Sequence, residues 1–270
     1  MGPAISGRYA SVMGSVSKDS IATIAAISLV AYVSADVAHH VLGHGGACLA
    51  LRGQVESLSS VHVKCSVTGS AVDLAGPVAN LTVGVGTLLG AHFASRRQVA
   101  THLFCTLAAA FNLFWFAMQL VFSAASRTDD WAWAIQQYHV AEPARYAMIV
   151  LGVALYIFFV RAVGQQLAPF AQPIVRARII AVTAWVTAGA IAILTAALDH
   201  NASSVMLRAA VPQSLLLHIG LLFAPARAAR SSLSDGASSY LDVSIPWIVT
   251  AVIVGGLSVA CLGPGFAVAI

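Results

Sequence analysis

The chain has 270 residues, 59% of them hydrophobic and only 9% charged, with a formal net charge of +4. Soluble domains carry about a quarter of their residues as charges, so this composition excludes one and describes an all-α polytopic membrane protein. Its positive residues are scattered between apolar runs, which excludes a nucleic-acid patch and makes them topology signals beside membrane lipid.

Residues 1–19 are small and polar and read as a disordered tail. The apolar run from Ile21 to Val33 follows Lys18, and Val33-Ser34-Ala35 has the look of a signal-peptide cleavage site. That reading fails because the apolar helix continues through a group of histidines to Leu51. Within it, His40 and His44 are four residues apart, a spacing that stacks two side chains on one helix face. One helix offers two nitrogens to one zinc ion in this way. Asp36, one turn earlier on the same stripe, can orient His40 or serve as a further ligand. The plainer alternative is a set of amphipathic anchors at the membrane interface. Ionisable groups at membrane depth are costly and mark function; three histidines and an aspartate within nine residues favour the metal. Gly43, Gly45, Gly46 and Ala47 would let another helix approach closely.

Residues 53–67 alternate apolar with polar side chains and predict short β-strands carrying His62, which faces solvent or lies near the metal. Cys48, Cys65, Cys105 and Cys261 show no close paired spacing, so no disulfide framework is implied, although Cys48 and Cys65 flank this segment. A second span runs from about Ala71 to Ala94. Gly76-Pro77 leads it, the proline suiting a helix's first turn, and Asn80 is a polar amide within it. A third span, Val99 to Ala125, ends at Asp129-Asp130-Trp131, where the acidic pair either caps the next helix or supplies a metal ligand.

These segments together resemble the site-2 protease family of intramembrane zinc metalloproteases. In that family a His-Glu-x-Gly-His helix is followed by small residues and a short β segment, here matched by His40-Val-Leu-Gly-His44 onward. A Gly-Pro pair leading an Asn-bearing helix follows, matched by Gly76, Pro77 and Asn80, and a later aspartate completes the zinc site. The resemblance covers residues 21–135. It implies zinc held by His40, His44 and Asp130, Asn80 as a substrate-binding residue, and a β segment that pairs with extended substrate. One position departs: the glutamate that takes a proton from zinc-bound water is replaced by Val41.

Further apolar runs at residues 146–163, 179–198, 210–224 and 245–262 bring the total to about six to seven transmembrane helices. The expected organisation is a tail over 1–19, a metalloprotease-like core over 20–145 and additional helices over 146–270. His218 reads as a packed helix residue, Asn201-Ala-Ser203 as a short glycosylation pattern, and Pro225 to Asp242 as an exposed loop. Alternating the Lys and Arg counts puts the N-terminus in the cytoplasm and the histidines in the outer half of a bacterial-type plasma membrane. The functional expectation is a zinc-binding, non-catalytic relative that binds membrane helices or a partner. The alternatives are an active peptidase with a substitute base (Asp36, His39 or Glu56), or another membrane metal or haem protein, for which His92, His102 and His218 are the mid-helix haem partners.

Overall fold

The computed structural model describes residues 19–94, 98–139, 141–199, 211, 214–231 and 240–266. The chain is helical almost throughout, as its composition predicts. Helix α1 (Ile21–Asp36) runs without a break into a π-helical segment (Val37–Gly45) and a short helix α2 (Gly46–Ala50). Ser20 caps α1 by accepting the Thr23 backbone N–H at 3.2 Å. A β-hairpin follows, β1 (Val55–Leu58) antiparallel to β2 (Val63–Cys65). Then come α3 (Ser70–Phe93), α4 (Val99–Ser126), the short α5 (Asp130–Gln137), α6 (Glu142–Gln166) and α7 (Ile174–Leu198). Last come α8 (Gly220–Ser231) and α9 (Ile245–Leu257), which ends in a second π turn (Ser258–Leu262).

Among the described residues, six helical stretches are long and apolar enough to cross a membrane: Ile21–Ala50, α3, α4, α6, α7 and Ile245–Leu262. The run at 210–224 is not among them; its described part turns at Leu217–Ile219 and continues as the shorter α8. That helix also carries Pro225 to Ser231, which the sequence suggests is loop. The tail over 1–18, Arg96, Arg97, the Asn201–Ser203 pattern and 232–239 lie outside the described residues.

Helix α4 is the centre of the bundle: Leu103, Leu107, Phe111 and Phe114 are fully enclosed, packed with Ile24, Ile27 and Ala31 of α1 and Ala184 and Ala188 of α7. The outward faces of α3, α6 and α9 expose Leu89, Val150, Phe158 and Val252, as lipid-facing surfaces do. At the start of α1, Asp19 forms a buried pair with Arg176 of α7, through both guanidinium Nε and Nη2, the latter at 2.9 Å. Tyr240 lies under the same guanidinium at 4.7 Å, so three distant segments meet at one charge.

Two sequence expectations are corrected in the loop region. Cys48 and Cys65 form a disulfide that ties α2 to β2, brought together by the tight turn at Arg52 (φ +60°) and Gly53. Pro77 is not in a first turn, because α3 begins at Ser70, seven residues earlier. The hairpin's other edge is occupied as well. Leu58 and Phe266 exchange both backbone hydrogen bonds at 3.1 Å, and Ser60 N–H donates to Leu262 C=O.

Candidate metal centre

The winding of the motif helix decides which histidines meet. In a π-helix the backbone bonds close between residues five apart rather than four. His44 therefore returns over His39, and their Nε2 atoms are 3.1 Å apart. Asp130, at the start of α5, brings Oδ2 to 3.2 Å from His39 Nε2 and 3.3 Å from His44 Nε2. All three side chains are buried, and they form the one group among the described residues with metal-ligand geometry. Of the residues the sequence singles out, His44 and Asp130 are in this group and His40 is not. His40 Nδ1 instead lies 3.0 Å from Asp36 Oδ1, so Asp36 orients His40 as one of its two expected roles.

The outer partners fix the ring tautomers. His44 Nδ1–H donates to Val72 C=O at 2.7 Å, which leaves its Nε2 with a lone pair. His39 Nδ1 faces the amide of fully buried Asn80 at 3.2 Å, whose Oδ1 otherwise has no partner among the described residues. A half-turn of that amide lets Oδ1 accept from Nδ1–H, satisfying the oxygen and freeing His39 Nε2 as an acceptor. Asn80 thus positions the His39 ring, and its fully buried amide faces that ring. With those tautomers three acceptor atoms converge within hydrogen-bond distance, and either a shared proton or a bound cation relieves their mutual repulsion.

The acidic pair divides between a helix cap and the histidine group. Asp129 caps α5, its Oδ1 accepting the Asp130 N–H at 3.0 Å from a left-handed backbone (φ +80°) that turns Asp130 inward. Gln119 of α4 donates to Asp130 Oδ2 at 2.7 Å and to Asp129 Oδ2 at 3.3 Å. Burial raises the Asp129 carboxyl and the adjacent Asp130 charge raises it further, to about 7. Burial opposes charge on Asp130 too, but His44 and His39 outweigh it and hold that carboxyl below its usual range. Replacing Gln119 by Leu is expected to weaken metal binding about 10- to 100-fold, the range for lost outer partners, with the helical content unchanged. Isothermal titration checks this.

Small residues let the site close. A methyl on Gly43 would lie 2.6 Å from Gly76 Cα, and one on Gly76 would overlap His44 Nε2. The two glycines allow the backbone contact that sets α3 against the histidines. Trp115 of α4 stacks on His39 at 4.6 Å between ring centres, 16° from parallel, and meets His40 edge-on at 5.8 Å. Val41, where the resemblance calls for a glutamate, packs against the hairpin cluster of Cys48, Val55 and Leu58. Val41→Glu is therefore expected to cost about 1–3 kcal/mol in denaturant unfolding, because it puts a carboxylate into that apolar contact.

The other histidines are used elsewhere. His102 Nε2 donates to Gln166 C=O, and His218 is buried between Ser214 C=O and Phe111 C=O, the packed residue its context suggests. His218 has both ring nitrogens against backbone carbonyls and offers neither to a haem. His62 links Ser57 Oγ (3.2 Å from Nε2) to Asp199 (3.4 Å from Nδ1), pinning the hairpin to the end of α7.

The chain is an all-α protein with membrane-crossing helices and a buried His–His–Asp group able to hold a metal ion. Comparison with family models, with characterised proteins and with solved structures finds no match.

Proposed function

We propose that this protein is a zinc-dependent intramembrane hydrolase on a site-2-protease-like scaffold, with His39, His44 and Asp130 as ligands. The observation that carries this reading is the triangle of acceptor atoms with edges of 3.1, 3.2 and 3.3 Å. Tetrahedral ligands about 2.0–2.1 Å from zinc are about 3.3 Å apart, so the triangle fits one face of such a site. Three protein ligands with a fourth position open is the catalytic rather than the structural pattern.

The shift of ligand from His40 to His39 also removes the difficulty at Val41. The residue after the first ligand, where the family has its glutamate, becomes His40. Its ring is 4.8 Å from that of His39 and 6.2 Å from that of His44, centre to centre. Asp36 holds Nδ1–H, so the lone pair is on Nε2, the tautomer a proton acceptor needs. A zinc ion at the site would polarise a carbonyl and lower the pKa of water it binds. The protein's own part is to hold the proton on His40 Nε2, with Asp36 stabilising the imidazolium, and to pass it to the leaving amine. The Cys48–Cys65 bridge supports placing the hairpin on an oxidising side of the membrane, the side the Lys and Arg counts give to the histidines.

A second reading keeps the metal without turnover. A cavity of about 560 Å³ lies between β2, the first turn of α3 and α5, lined by Lys64, Val72, Asp73, Trp133 and Gln137. It would take a segment of a membrane-protein partner whether or not that segment is cut. The test is incubation of the zinc-loaded protein in lipid nanodiscs with a single-span helical substrate. Cleavage that stops on chelation and returns with zinc supports the hydrolase. Tight binding of an uncut segment would leave the second reading.

A further inference from the structure

A small, partly open space lies where the hairpin tip enters the helical bundle. It has a volume of about 20 Å³ and is lined by Tyr32 of α1, Ser60 and Val61 of the hairpin turn, Trp115, Ser214 and His218. We propose that this cavity is a binding site for a single ordered water, which joins the hairpin tip to the helix that carries the histidines. The inference does not depend on the metal or on hydrolysis.

Size and chemistry both point to water. One water needs roughly 10–15 Å³ of such volume and two to four polar partners, whereas apolar cavities of similar size stay dry. Ser60 Oγ is buried and has no hydrogen-bond partner among the described residues. Tyr32, only 6% exposed, lines the same space and puts a second hydroxyl-bearing side chain there. Ser214 Oγ donates to Val211 C=O at 3.2 Å, so it has lone pairs to offer. His218 brings no free donor, since both its nitrogens face backbone carbonyls. A water accepting from Ser60 and Tyr32 and donating to Ser214 satisfies every one of these groups. A hydroxyl sealed away without a partner is the costly alternative.

The location gives this water a structural task. Tyr32, Asp36 and His40 follow one another at four-residue intervals along the helix. The ring of Trp115, stacked on His39, forms part of the cavity wall. Ser60 N–H is already bound to Leu262 C=O and His62 reaches Asp199, so the Ser60 side chain is a further polar group of the tip that faces the bundle. Through the water, the turn of the hairpin is fastened to the same helix that holds the metal ligands.

A high-resolution structure of the intact protein tests the proposal directly. A density peak within hydrogen-bond distance of Tyr32 Oη and Ser60 Oγ is expected, and its loss in the Tyr32→Phe/Ser60→Ala double variant. The single Ser60→Ala variant, which removes one oxygen and nothing else, is expected to raise amide hydrogen exchange at Val61 and His62 several-fold. A cavity without density in the natural protein would overturn the assignment. So would a peak that persists unchanged in the double variant, or hairpin exchange indifferent to Ser60→Ala.

Discussion

Alanine at His39 is expected to abolish stoichiometric zinc binding, while alanine at His40 leaves it within about tenfold of the natural protein. The contrast follows from the five-residue closure of the π segment, which puts His39 and His44 Nε2 atoms 3.1 Å apart and turns His40 toward Asp36. Losing His39 leaves two ligands of three, whereas losing His40 removes only a neighbour. Elemental analysis and competition with a chromogenic chelator separate the two. The reverse result, with zinc kept by His39→Ala and lost by His40→Ala, would mean that the helix winds as an ordinary α-helix when loaded.

The second large effect belongs to the same pair of neighbours. With zinc retained, His40→Ala is expected to lower the turnover of a membrane-helix substrate by about 100- to 10,000-fold, the usual weight of general acid–base assistance. The loss should fall on kcat with KM little changed, because His40 handles the proton rather than holding substrate. Asp36→Asn should move the rate in the same direction, since the amide cannot stabilise an imidazolium across the 3.0 Å contact to Nδ1. Unchanged turnover in zinc-loaded His40→Ala would remove His40 from the chemistry.

Much of this arrangement is written in the sequence. Long apolar runs declare the spans, and the density of ionisable groups in the first span declares the site. The Gly76-Pro77 and Asn80 pattern correctly brings α3 to the histidines, and Asp130 arrives from after the third span. What escapes is the register. Four-residue spacing selects His40 only if the helix is α, and a π turn has no residue signature of its own. It is stabilised by what surrounds it: the Gly43–Gly76 backbone contact, the Val72 carbonyl under His44 and the hairpin on Val41. The one available hint is the neighbour itself, a second histidine directly before His40. The disulfide escapes for a similar reason. Cys48 and Cys65 are 17 residues apart, and it takes the left-handed turn at Arg52 together with the β1–β2 hairpin to fold that distance back. What Asn80 faces also escapes, because an isolated amide in an apolar helix does not announce its partner, here His39.

The three residues able to hold a metal come from two places in the chain, His39 and His44 from the first span and Asp130 from the short helix after the third. A metal held there is a cross-link as well as a reagent, and only the folded protein can make it. A ligand that binds the native state alone adds RT ln(1 + [L]/Kd) to its stability, about 2.7 kcal/mol when free metal is a hundred times Kd. The unfolding temperature should therefore climb with added zinc and fall with chelator. The steepness of that climb would measure the site's affinity without any substrate.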